Sequence, residues 1–75
     1  MPYELFDTET HDYVKPRKRY NRNLDAAIQA AQLQNVNRND RFVGRHYKYR
    51  PQVVVHEFDA DDVLVKVHTA YPGYI

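Results

Sequence analysis

Leu24-Asp-Ala-Ala-Ile-Gln-Ala-Ala-Gln-Leu-Gln34 is the stretch that decides the fold, because it alone has the apolar spacing of an amphipathic helix. Asn23 precedes it as a favourable N-cap, and Asp25 lies in the first turn, where the helix dipole favours a negative charge. The sequence therefore predicts one helix over 24–34. Its core-facing stripe consists of Leu24, Ala27, Ile28 and Ala31.

A second apolar face runs along the other side of this helix. Leu33 falls nearly opposite the main stripe, beside Ala26 and Ala30. A helix with apolar residues on two sides either frays near its end or packs on both sides. We therefore take Ala26, Ala30 and Leu33 as a candidate apolar face for a partner.

Upstream of the helix the chain predicts a β-hairpin followed by a basic segment. Tyr3–Phe6 and Tyr13–Lys15 have strand-like composition, and the polar, turn-forming residues 7–12 join them. Residues 15–22 then carry five basic side chains in eight positions, and Pro16 disfavours helix directly before it. We predict a basic loop or extended arm over 15–22, called the arm below.

Downstream of the helix the chain predicts a loop, three strands and a tail. Residues 35–40 have loop composition, and Asn35 could end the helix in a left-handed conformation. Strand-like segments follow, separated by turns at 50–53 and 59–62. They are Arg41–Tyr49, Val53–Phe58 and Val63–His68. Residues 70–75 contain a Pro-Gly turn signal and are expected to be partly ordered.

These segments predict a single small α+β domain over residues 1–75. Its helix packs on an antiparallel sheet that is made of the N-terminal hairpin and a three-stranded C-terminal meander. Closing the meander at its two turns gives each strand one mostly apolar face, which we assign to the helix side. That face includes Val54, His56, Phe58, Val63, Val65 and Val67, and the same register places His46 opposite Glu57.

The charges of the chain are strongly segregated along the sequence. Ten of the eleven Lys and Arg residues lie between Lys15 and Arg50, where only two acids occur, while the flanks carry eight acids and one Lys. The formal net charge of +1 therefore hides a local excess of positive charge. Such a pattern indicates a binding surface without naming the partner.

Several classes of function have no support in the sequence. The chain has no Cys, so it has no disulfide and no thiolate metal site, and its histidines lack paired ligand spacing. It has no Ser and no Gly-rich phosphate loop, and no apolar run is long enough to cross a bilayer. We predict a cytoplasmic, non-enzymatic protein with no metal, cofactor, small-molecule substrate or membrane partner.

Two binding functions remain open. The first is a small adaptor, inhibitor or oligomer subunit that docks on a protein or on its own copies through the charge-segregated surface. The alternative is a module that contacts the phosphates of DNA or RNA through the 15–50 region. The sequence pI of 8.0 favours the first, because dedicated nucleic-acid-binding domains typically exceed about 9. The candidate residues for an acidic partner or phosphate are Lys15, Arg17, Lys18, Arg19, Arg22, Arg38, Arg41, Lys48 and Arg50.

Overall fold

The computed structural model describes the backbone of residues 1–40 and 52–70 and the side chains of residues 1–37 and 52–70. Within these residues one helix packs on an antiparallel sheet of five strands, as predicted. The elements are β1 (Pro2–Asp7), β2 (Asp12–Tyr13), β3 (Tyr20–Asn21), α1 (Leu24–Asp40), β4 (Val53–Phe58) and β5 (Leu64–His68).

The N-terminal strand β1 lies in the middle of the sheet. On one edge β1 pairs with β4, with Leu5 opposite Val55. On the other edge β1 pairs first with β2, which confirms the predicted hairpin, and then with β3, where Tyr3 stands opposite Tyr20. Between these two pairings the backbone N–H of Val14 donates to the carbonyl of Leu5 at 3.0 Å. The arm is therefore fixed to the sheet near both of its ends.

The C-terminal strands β4 and β5 pair antiparallel as predicted. Their register differs from the prediction, because Glu57 is opposite Lys66 rather than Leu64. The first predicted strand of the meander, Arg41–Tyr49, lies outside the described residues. On the other side of β4, Glu57 is opposite Tyr3 of β1, so both cross-strand positions beside Glu57 are occupied. The predicted cross-strand pair of Glu57 with His46 was therefore wrong. The predicted sheet contained only pairs of strands adjacent in the chain, whereas the N-terminal strand β1 pairs with the distant β4.

The core lies between α1 and one face of the sheet. It contains Leu5, Ala27, Ala31, Val53, Val55 and Ala70. The predicted helix stripe is confirmed, because Ala27 and Ala31 are buried and Leu24 and Ile28 pack against this cluster. Ala70, assigned to the partly ordered tail by the sequence, is a core residue, and the rest of that tail lies outside the described residues.

The predicted faces of β4 were reversed. Val53 and Val55 face the helix, whereas Val54, His56 and Phe58 lie on the opposite side. The apolar content of a strand identifies its core face only when the other face meets water. Here both faces of β4 are buried, so the alternation of apolar residues could not tell them apart.

The helix begins where it was predicted to begin but ends later. The side-chain oxygen Oδ1 of Asn23 accepts a 3.0 Å hydrogen bond from the backbone N–H of Ala26, which confirms the N-cap. The helix then continues through Asp40. The predicted loop at 35–40 was therefore wrong, and Asn35 is a buried helix residue rather than a C-cap.

Candidate functional site

The arm divides its side chains between the two sides of the sheet. Arg17 and Arg19 lie on the side away from the helix, with their guanidinium carbons 4.3 Å and 5.3 Å from the ring centroids of Tyr13 and Phe58. Lys18 and Tyr20 lie on the helix side, where Tyr20 packs against the core. The basic run of the sequence is therefore not one continuous basic surface.

Two arginines of the arm bind a buried carboxylate on β1. Glu4 is only 4% exposed. Arg17 donates to its Oε1 from Nε at 2.8 Å and from Nη2 at 2.6 Å. Arg19 donates to Oε2 from Nε at 3.1 Å and from Nη2 at 2.6 Å, and its Nη1 reaches Asp62 at 2.7 Å. Paired, charge-assisted bonds of this kind hold the arm against the sheet.

The environment of Glu4 favours its ionised form. Burial is the largest influence and raises the pKa of Glu4, but the hydrogen bonds and positive charges of Arg19 and Arg17 together outweigh it and leave the pKa below its ordinary value. No local pattern in the sequence indicates this ion pair. Glu4 is one of two acids in β1, and its partners lie at least thirteen positions away in the sequence.

An aromatic layer lies beside this ion cluster. The His56 ring stacks on Phe6 with a centroid distance of 4.4 Å, and its Nδ1 lies 3.3 Å from the hydroxyl of Tyr13. Burial lowers the pKa of His56, although the charge of Glu4 raises it in part. His56 is 8% exposed and lies on the side of the sheet away from the helix, opposite to its predicted side.

A groove opens on the helix side between the arm and α1. Its volume is about 230 Å³. It contains two residues of the candidate apolar face, Ala30 and Leu33, and two candidate cations of the arm, Lys15 and Lys18. Ala26, the third residue of that face, is half-buried and does not line it. The other apolar walls are Leu5, Val14, Pro16 and Tyr20.

Leu33, Pro16 and the two lysines are the exposed residues that line this groove. The Leu33 side chain is 61% exposed, although it is a large apolar residue. Lys18 is exposed, with its Nζ 5.0 Å from the ring centroid of Tyr20. Lys15 makes an exposed ion pair with Asp12 at 3.7 Å, an interaction of about 0–1 kcal/mol that a partner can replace.

The remaining candidate cations are not gathered at the groove. Arg22 is exposed at the end of the arm, and its backbone N–H donates to the carbonyl of Met1 at 3.2 Å. Arg38 lies in α1, but its side chain is outside the description. Arg41, Lys48 and Arg50 lie outside the described residues altogether. Of the candidate cations whose side chains the structure describes, Lys15 and Lys18 are therefore the two that line the groove.

Within residues 1–40 and 52–70 no group of three or more His, Asp or Glu side chains is arranged to hold a metal ion. In the same part of the chain no helix is long and apolar enough to cross a membrane. Comparison of the chain with known protein families, with characterised proteins and with solved structures finds no significant match.

Proposed function

We propose that this protein is a small non-enzymatic binding protein whose groove between α1 and the arm takes an apolar side chain of a protein partner, flanked by acidic residues. The observation that carries the proposal is the meeting of exposed Leu33 with Lys15 and Lys18 around one concave surface.

The size of the groove suits a single large side chain. A cavity of roughly 150 Å³ holds a benzene molecule. The groove of about 230 Å³ therefore has room for one aromatic or branched aliphatic side chain. An anchor residue seated in a pocket of this kind commonly carries most of the binding energy of a small interface.

The charges around the groove select the neighbours of that anchor. Lys15 and Lys18 favour acidic residues one or two positions from the buried side chain. Exposed charges at the edge of an interface act mainly on the rate of association and on the choice of partner. The affinity itself rests on burial of Leu33 and of the partner's apolar side chain.

Nucleic-acid binding, the alternative, has less support from the arm. Arg17 and Arg19 share the buried carboxylate of Glu4, and Arg19 also pairs with Asp62, so two carboxylates of the protein offset their two positive charges. Lys15, Lys18 and Arg22 remain to contact phosphates in the described part of the arm. Three such contacts give a slope of only about −2.7 in log Kobs against log salt concentration on a duplex.

A peptide-display selection against the immobilised protein tests the proposal. We expect enrichment of peptides with one Phe, Leu or Trp flanked by Asp or Glu. Leu33→Lys should weaken the selected peptides at least tenfold, because it places a charge in the apolar wall, and Lys18→Glu should weaken them by repulsion. Gln29→Lys is the matched control, since it adds the same charge at an exposed helix position outside the groove.

Three outcomes contradict the proposal. One is a selection without a shared apolar and acidic pattern, and another is equal loss of binding in the Leu33→Lys and Gln29→Lys variants. The third is tight binding of a labelled oligonucleotide at about 0.15 M salt that Leu33→Lys does not change, which supports the nucleic-acid alternative instead.

A further inference from the structure

The arm takes part in two surfaces at once, because its side chains alternate between the two sides of the sheet. Arg17 and Arg19 lie on the side away from the helix, where they bind Glu4. Lys18, between them in the chain, lines the groove on the helix side. The same wall of the groove includes Val14, Lys15, Pro16 and Tyr20.

Between its two ends the arm is attached to the sheet through side chains. Backbone hydrogen bonds with β1 hold the chain at Val14 and at Tyr20. Within 15–19, the hydrogen bonds that the structure describes are those of the two arginines, four to Glu4 and one to Asp62. The course of this segment over the sheet therefore depends on the carboxylate of Glu4.

The geometry of the four bonds to Glu4 fixes direction as well as distance. Arg17 uses Nε and Nη2 on Oε1, and Arg19 uses the same two donors on Oε2. Two donors from a planar guanidinium restrict the orientation of the side chain, which a single ammonium does not. The backbone is thus held on both sides of Lys18.

We propose that Glu4 is a positioning residue for the groove. By holding Arg17 and Arg19 on one side of the sheet, it sets the place of Lys18 and of the arm's wall on the other side. This inference rests on the proposed function, because it gives a buried carboxylate a role in binding the partner. A wall that is already in place lowers the cost of ordering the arm when the partner binds.

The charge of Glu4 by itself predicts the opposite effect on binding. Glu4→Gln raises the net charge by one, which favours acidic peptides beside Lys15 and Lys18. Positioning predicts weaker binding instead, because a released arm lines the groove for only part of the time. The apparent Kd then rises by the inverse of that fraction. The sign of the change in affinity therefore separates the two effects.

Isothermal titration calorimetry with a selected peptide, one Phe flanked by Asp residues, tests the proposal. We expect Glu4→Gln to raise the Kd about fivefold or more, as for an arm that lines the groove a fifth of the time or less. Asp61→Asn is the matched control, since it removes one exposed acid outside the groove and should not weaken binding. Circular dichroism checks that both variants are folded.

Arg17 gives a second test that does not disturb the buried carboxylate, because its side chain is 53% exposed. Arg17→Gln should also weaken the peptide, and Arg17→Lys should give an intermediate Kd, since lysine keeps the charge but not the paired donors. Lys66→Gln, which removes an exposed positive charge outside the groove, should bind as the wild type does. If Glu4→Gln does not fold, this series decides the outcome.

Trypsin digestion tests the hold of Glu4 on the arm without any peptide. The arm offers cleavage sites after Arg17, Lys18 and Arg19, and cleavage there requires the segment to leave the sheet. We expect Glu4→Gln to be cut in the arm about tenfold faster or more than the wild type, and Asp61→Asn at the wild-type rate.

The outcomes distinguish this inference from the proposed function. Unchanged or tighter peptide binding by folded Glu4→Gln, or an unchanged rate of cleavage in its arm, overturns the inference and leaves the proposed function standing. Equal peptide binding by Arg17→Gln and Lys66→Gln overturns it in the same way. Faster cleavage of Glu4→Gln, with no peptide bound by the wild type, supports the hold on the arm and contradicts the proposed function.

Discussion

Asn35 is a polar side chain inside the core, and its amide satisfies every hydrogen-bonding position that it has. Nδ2 donates to the carbonyls of Val53 at 3.0 Å and Ala70 at 2.7 Å. Oδ1 accepts from the N–H groups of Gln52 at 3.0 Å and Val53 at 2.9 Å. One helix residue thereby joins α1 to the start of β4 and to the backbone that follows β5.

Replacing Asn35 tests the importance of this amide. Asn35→Ala leaves four backbone groups without their partner, and three of the lost hydrogen bonds are buried, so we expect the free energy of unfolding to fall by about 2–4 kcal/mol in urea titrations. Asn37→Ala, at an exposed position of the same helix, is the control and should change stability by less than about 0.5 kcal/mol. Equal effects of the two substitutions would show that the Asn35 amide contributes nothing specific.

The role of Asn35 was beyond local sequence reasoning. Residues 35–40 are rich in Asn, which indicates a loop when the partners of the side chains are unknown. The partners of Asn35 lie up to 35 positions away. The hydrogen bonds of the buried Asn35 amide with distant backbone groups support the helix at 35–40. The periodicity of apolar residues in the sequence does not indicate such bonds.

At the scale of elements, local patterns predicted local structure well. The N-cap at Asn23, the buried Ala27 and Ala31, and the exposure of Leu33 all follow from residues within one or two helical turns. The hairpin β1–β2 and the pairing of β4 with β5 follow from turns between adjacent segments. The pairing of β1 with β4 joins distant segments, so it was missed, and with it the true core face of β4.

The arm shows the same division between local and distant information. Its positive charge was evident, but its attachment to Glu4 depends on the fold. Arg19 links the arm to two distant segments, because it binds Glu4 of β1 and Asp62 in the turn before β5. Lys18, its neighbour, lies by the groove and makes no ion pair that the structure describes.

This difference between neighbours gives a prediction for the arm. Arg19→Ala leaves Glu4 with Arg17 as its one remaining partner, and we expect a loss of about 1–2 kcal/mol in the free energy of unfolding. Lys18→Ala should cost less than about 0.5 kcal/mol, since its side chain is exposed. Chemical denaturation of both variants in one buffer makes the comparison, and a Lys18→Ala effect as large as that of Arg19→Ala would contradict it.

At the scale of the whole molecule, His56 and Glu4 make stability depend on pH in the same direction. The pKa of His56 is lowered from its ordinary 6.5, so below that pH the unfolded chain binds the proton more readily and the folded state loses stability. The pKa of Glu4 is lowered from its ordinary 4.5, so a further loss begins as the pH falls below that value.

The two contributions can be separated by substitution. We expect His56→Gln to flatten the decline of unfolding free energy from pH 6.5 to 4.5, while leaving a decline below pH 4.5 that arises from Glu4. Urea denaturation at about pH 7.5, 5.5 and 3.5 and constant ionic strength measures both windows. Parallel profiles for the wild type and the variant would show that His56 does not titrate with folding.

The central position of β1 also determines when the protein can fold during synthesis. Tyr3 of β1 pairs with Glu57, which leaves the ribosome more than fifty residues later. Until β4 emerges, the nascent chain has the hairpin and α1 but lacks Val53 and Val55, which cover the helix stripe. Contacts this distant in sequence slow folding and leave apolar surface open to aggregation. The apolar stripe of α1 is therefore most exposed to wrong partners, and to chaperones, in the interval between release of Ala31 and release of Val55.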